Sequence, residues 1–195
     1  MKFKTLAFTA AAASALLLSA CQSPQSTSLT FNAPAPNPTM QVQNAVVYVT
    51  ARDSRGQAEV ASYTSNGQLI KLSANPALTD LFQKIEQQDL ISKGFRIGMA
   101  NNSNAGVTVD IKTFHANVQQ GDLKYNIDSK IQLTVHVQGA RGQFSKNFEA
   151  SNSQEGAFNA KTVEIQKVMD KTFLDVVNAI YRDQEVATAV NYYAH

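Results

Sequence analysis

From residue 123 to 137, apolar and polar side chains alternate with a single interruption. Leu123, Tyr125, Ile127, Ile131, Leu133, Val135 and Val137 take the odd positions, with Ser129 the exception. Lys124, Asn126, Asp128, Lys130, Gln132, Thr134 and His136 take the even ones. Successive residues of a strand point to opposite faces, so this period of two describes one long strand that is packed on one side and wet on the other. Half-buried strands of this kind belong to antiparallel sheets covered on a single face. Another layer must cover the apolar side, and the rest of the chain supplies helices for it.

NAVVYVTAR (44–52), EVASYT (59–64), QLIKLS (68–73), FRIGM (95–99) and QFSKNFEAS (143–151) read as further strands. Asn66-Gly67 makes a tight hairpin turn between the second and third of these. A second long strand precedes Gln119 and faces the alternating one. Phe144 and Phe148 point to the same side of the last strand.

A first helix is expected from Asn75-Pro76, with Asn75 as its cap, Leu78, Leu81, Phe82 and Ile85 as its stripe, and Gly94 as its stop. A second runs over 160–182 on Val163, Ile165, Val168, Met169, Phe173, Val176, Val177, Ile180 and Tyr181. Asp183 can cap a short third helix carrying Val186, Ala187, Val190 and Tyr193. The expected fold is therefore α+β: a two-layer sandwich of a mostly antiparallel sheet with two main helices packed on one face.

The first 43 residues follow different rules. Lys2 and Lys4 precede an apolar and small-residue run over 6–20 that stops at Cys21, the only cysteine. That is the layout of a secretory signal peptide. The run is shorter than the roughly 20 residues a membrane-spanning helix needs. LLLSAC (16–21) resembles the bacterial lipobox, and the resemblance implies cleavage before Cys21 with diacylglyceryl and further acyl groups, such as palmitate, on that residue. Two or three chains make a lasting anchor where one does not. In lipobox proteins an aspartate after the cysteine favours retention at the inner membrane. Gln22 therefore implies the outer membrane, facing the periplasm. A buried structural cysteine that happens to follow a signal peptide is the plainer alternative.

Residues 22–43 hold four of the five prolines among Ser, Thr, Asn and Ala, and read as a flexible tether. The expected organisation is a lipoprotein signal peptide over 1–20, an anchored tether over 21–43, and one periplasmic α+β domain over 44–195.

Lys2 and Lys4 also account for the whole charge surplus. The chain after the cut carries 15 basic and 15 acidic residues and no Lys/Arg run, so it lacks the basic footprint that nucleic-acid binding requires. His115, His136 and His195 have no ligand spacing, and no metal or other cofactor is expected. His115 and His136 lie on the two long strands and could meet across the sheet, but two surface imidazoles is the simpler reading. No G-x-S-x-G, P-loop or G-x-G-x-x-G motif occurs.

Asp110, Asp128, Glu149 and Glu155 are scattered and read as solvated strand or turn positions. Arg52, Asp53 and Arg55 form a charged turn that suits either a local ion pair or an anion. The pattern names no catalytic residues. The polar face over 124–136 is ordinary wet sheet or a partner surface.

GDLKYNIDSKIQLTV (121–135), NFEASNSQEGAFNA (147–160) and LFQKIEQQDLISKGF (81–95), together with the lipobox, resemble the YajG-like lipoproteins of Gram-negative bacteria. Glu155-Gly156-Ala157-Phe158, taken as the turn entering the last helix, is the most specific part. The resemblance implies an outer-membrane lipid anchor on Cys21 and no established activity. The expected function is a non-enzymatic binding module with an envelope protein partner. The alternative is a carrier or sensor of a small apolar ligand held between sheet and helices near Phe114, Phe144, Phe148 and Phe158.

Overall fold

The alternating segment forms one strand, β7 (Lys124–Gly139), and every odd position from Tyr125 to Val137, Ser129 included, is buried. Leu123 precedes the strand and is exposed. The computed structural model describes residues 27–39 and 41–194, so Cys21, the signal segment and His195 lie outside the described residues.

Two strands of equal length flank β7 in antiparallel register: β6 (Ala105–Gln120) and β8 (Gly142–Ala157). The other edge of β6 is shared. Its first half pairs in parallel with β2 (Val46–Asp53), which carries β5 (Arg96–Ile97). Its second half pairs with β3 (Ala61–Ser65), and the sheet continues through β4 (Gln68–Asn75) to β1 (Ser28–Thr30). The result is an eight-stranded, mostly antiparallel mixed sheet.

Among the described residues three helices, α1 (Leu78–Ser92), α2 (Thr162–Arg182) and α3 (Glu185–Tyr193), pack against the apolar face, giving the expected α+β sandwich. The β3–β4 hairpin turns on Asn66 and Gly67, both at positive φ (49° and 75°), as a primed turn requires.

Phe31, Phe82, Phe114 and Phe173 meet at the centre, with ring centroids 5.0–6.5 Å apart, and lock β6, α1 and α2 together. Ser129 breaks the apolar pattern of β7 for a structural reason. Its hydroxyl bonds the Thr172 hydroxyl on α2 and donates to the Asn152 carbonyl at 3.1 Å, so a buried polar pair stitches helix to sheet.

Several expectations need correction. The segment expected to be tether is folded from residue 28. β1 pairs with β4, Leu29 and Phe31 lie fully in the core, and the Phe31 amide donates to the Asn75 carbonyl at 2.9 Å. Past Phe31 the chain runs along the helices. Tyr181 donates to the Pro34 carbonyl, and the amides of Thr39 and Gln43 donate to Ser92 and Gly94. Gly94 sits at φ 92°, and a Cβ there would fall 1.8 Å from the Gln41 carbonyl oxygen, so glycine permits this close approach.

Asn75 closes β4 and does not cap α1, which starts at Leu78 after Ala77. Val163 is 66% exposed at the start of α2, off the buried stripe. Gln184 takes the N-cap position of α3, and the Asp183 carboxylate, one residue earlier, accepts the Val186 amide at 2.9 Å. β8 runs six residues further than its apolar pattern suggests, so Glu155, Gly156 and Ala157 are strand. The chain turns only at Phe158, which has φ 66° and is 71% exposed.

Candidate functional site

The wet face of β2, β6, β7 and β8 is an ordered polar ladder. Thr134 donates to Asn147 at 2.8 Å, Thr113 to Gln132 at 3.0 Å, and Gln132 to Glu149 at 2.7 Å. Lys130 lies 2.9 Å from the other Glu149 oxygen, and Lys130 and Gln132 together hold that carboxyl below its usual range. Ser153 and Asn126 both donate to Asp128, at 2.7 and 2.6 Å. Glu155 lies 3.6 Å from Lys124. Cross-strand pairs of this kind fix side chains that would otherwise move freely in water.

One group on this face is not solvated. Asp110, expected at the surface, has a side chain with no exposed area. Arg52, opposite it on β2, donates to its Oδ2, and Lys112 Nζ lies 2.7 Å from the same oxygen. His136 Nε2 is 3.9 Å away, its ring held by a 2.7 Å hydrogen bond between Nδ1 and Ser145 Oγ. Burial pushes the Asp110 carboxyl up, but hydrogen bonds from Arg52, Lys112 and Ser54 outweigh burial and hold it well below the usual carboxylate range. Asp110 therefore stays ionised near neutral pH and holds no proton to transfer.

A β-bulge lies beside this arrangement. Register passes from Ile111↔Leu133 to Thr113↔Gln132, leaving Lys112 without a cross-strand partner. Ile111 and Phe114 both point into the core while Lys112 and Thr113 both face water. The alternation of β6 changes phase at that point.

The charged turn after β2 divides its members. Arg55 forks onto Asp53 at 2.8 and 2.9 Å and donates to the Phe114 carbonyl at 3.1 Å, a local ion pair. Arg52 leaves the turn for Asp110. His115 and His136 do not meet: His115 lies opposite Lys130, and His136 lies opposite Thr108, seven positions away along β6, or roughly 20 Å. His115 bonds Gln57 instead, and burial lowers its pKa. Among the described residues, no group of three or more His, Cys, Asp or Glu side chains could hold a metal ion.

The aromatics proposed to hold an apolar ligand are dispersed. Phe114 belongs to the packed ring cluster, Phe148 is buried, and Phe158 faces water. Phe144 borders a depression of about 360 Å³ with Ala189, Tyr192 and Tyr193 at the α3 edge, and Phe148 borders a separate one with Lys112, Gln132 and Thr134.

A second charged cluster, invisible in the sequence, lies beneath α1. Glu86 is fully buried and its carboxyl is pushed up to about 8 by burial and by Asp89. Asp89 is pushed up to about 6 by burial, although Lys93 Nζ lies 2.6 Å from it. Lys93 also donates to the Ile180 carbonyl. Tyr181, beside both acids, is pushed up to about 12, chiefly by burial. No described cavity opens onto Glu86.

Residues 33–191 match the Lipoprotein_16 family, described as uncharacterized lipoproteins. The chain belongs to this lipoprotein family. The lipoprotein is 25% identical over 174 residues to the uncharacterized lipoprotein YajG of Escherichia coli K12, covering 87% of this chain and 88% of that one. The same identity and coverage hold for YajG of strain CFT073. A Xanthomonas campestris crystal structure of the DUF330 family shares the fold. Its TM-score is 0.53 at 13% identity, over 86% of this lipoprotein and 97% of that protein. A second crystal structure, of an uncharacterized protein, has a TM-score of 0.50 at 13% identity and covers 81% and 98%. The family relatives carry no enzymatic name.

Proposed function

We propose that this lipoprotein is held by lipid on Cys21 at the outer membrane and presents the polar face of β2, β6, β7 and β8 to a protein partner in the periplasm, without catalysing a reaction. The carrying observation is the wet face itself. Four strands hold its side chains in fixed cross-strand hydrogen bonds, while the opposite face is filled core. A preordered polar surface loses little further entropy on binding. Among the described residues no helix is long and apolar enough to cross a membrane.

The folded strap shortens the reach of the tether. Six peptide steps join Cys21 to Thr27, and at about 3.5 Å each they keep the domain within about 20 Å of its anchor. Partners are accordingly membrane-proximal. The reading is supported by the chemistry of the face: Asp110 stays ionised, and the raised carboxyls Glu86 and Asp89 lie buried on α1, away from this face.

Photocrosslinking in cells tests this, with the reactive residue at Thr134 or Ser151 on the wet face. The expected result is a discrete crosslinked protein. No species enriched over an unrelated lipoprotein would refute the reading. A second reading, a carrier of a small apolar molecule, moves from the core to the open depression at Phe144 and Tyr192, and native mass spectrometry of protein purified from cells tests it.

A further inference from the structure

We infer that Arg52 and Lys112, held over Asp110, form a binding site for a phosphate group. The inference rests on the wet face being a binding surface and names a ligand for it. Two permanent cations bond the same oxygen of one carboxylate, so the cluster has a surplus positive charge. Two nitrogens bonded to one oxygen lie within about 6 Å of each other, a separation that one phosphate spans with two of its oxygens. The cations face outward, their side chains 62% and 48% exposed, while the carboxylate that orients them has no exposed area. Arginine has five N–H donors and lysine three, and Asp110 accepts from one nitrogen of each.

The surroundings supply neutral donors. Arg52 walls a depression of about 260 Å³ with Thr108, His136, Gln138, Gln143 and Ser145. Lys112 walls the adjoining one, of about 300 Å³, with Gln132, Thr134 and Asn147. The acid in that second depression, Glu149, is already engaged by Lys130 and Gln132. His136 adds a further positive charge when protonated. Lys112 shares the face of Asp110 as any i, i+2 pair in a strand does, and the bulge adds Thr113 to that face. A phosphate monoester carries up to two negative charges and three acceptor oxygens, which match this set.

The test uses residues 22–195 in solution, which include every described residue. Nuclear magnetic resonance follows inorganic phosphate titrated into the protein, and flotation follows vesicles of phosphatidic acid in phosphatidylcholine. Arg52→Gln and Lys112→Gln each leave Asp110 one cationic partner, so both variants should keep the fold at a somewhat lower melting temperature, which circular dichroism checks before the titrations. Saturable shifts at Arg52, Lys112 and His136 with inorganic phosphate, weakened roughly tenfold or more by either variant, support a free phosphate ligand. Vesicle binding that needs phosphatidic acid and is lost in both variants supports a lipid headgroup. Both should fade near 1 M salt, where screening acts within about 3 Å. No saturable shift and no selective flotation, or binding that both variants leave unchanged, overturns the site. A wet-face crosslink that persists in both variants separates that failure from failure of the binding surface as a whole.

Discussion

Replacing Phe31 with alanine should destabilise the domain as severely as any core truncation, although the residue lies ten positions after Cys21 in a stretch rich in proline and serine. The ring is 1% exposed and touches two others, Phe114 at 5.0 Å edge-on and Phe173 at 5.4 Å. Truncating a buried phenylalanine costs about 3–5 kcal/mol through lost transfer energy and the cavity left behind. Each aromatic pair adds about 0.5–1.5 kcal/mol beyond buried area, which favours the upper half of that range. In a domain of this size 1 kcal/mol moves the melting temperature by about 2–4 °C, so Phe31→Ala should melt about 10 °C or more below the parent.

The control is Phe158→Ala, which removes the same atoms at a 71% exposed position and should change stability by no more than about 0.5 kcal/mol. Urea and thermal unfolding followed by circular dichroism measure both. Equal stability for the two variants would show that the strap is a free tether, and the membrane-proximal geometry would fall with it.

Other perturbations test other parts of the account. Glu86 is pushed up to about 8 from 4.5, so between those values the folded chain holds a proton that the unfolded chain releases. Stability therefore falls as pH rises through that window, by up to about 3 kcal/mol at pH 7. Glu86→Gln should flatten that slope, leaving the shallower contribution of Asp89 below about pH 6. Urea midpoints from pH 4.5 to 8 that run parallel in the two proteins would refute it.

A Cβ on Gly156 would lie 2.3 Å from the Tyr125 ring, so Gly156→Ala should cost about 1–3 kcal/mol. Adding Tyr125→Leu should recover part of that loss in the same unfolding assay. Ser129→Val removes the Thr172 hydroxyl's bond to β7, leaving its 3.2 Å bond from Asn152 on β8, and should cost about 1 kcal/mol by chemical denaturation.

The parts of the fold visible in the sequence were those set by local pattern. β7 shows a clean period of two because one face is helix-covered and the other wet. Asn66-Gly67 marks its turn because few other residues accept two positive φ values in succession. The strap was hidden because β1 is only three residues long and pairs with β4, 45 positions away, so its order comes from tertiary contact and not from local preference. The second half of β8 was missed because its inward positions are Asn152, Gln154 and Gly156, which pack against Thr172 and Tyr125 by hydrogen bonds and close approach.

The site was legible only in fragments. In the sequence Arg52 reads as an anion-binding candidate and Asp110 as a strand carboxylate. Their meeting depends on the parallel register of β2 with β6, which no local spacing encodes. The phase change from Val107, Val109 and Ile111 to Phe114, Ala116 and Val118 was the available signal for the bulge, and it places Lys112 at the break.

The anchor is the central claim, because it sets where the polar face works and how near the membrane any ligand must lie. The most direct measurement is the intact mass of protein extracted from membranes, compared with Cys21→Ala, with both followed through cell fractionation. The account predicts loss of residues 1–20, a mass gain of two or three acyl chains and recovery with the outer membrane, all abolished in the variant. An unmodified mass in the soluble periplasm would contradict it.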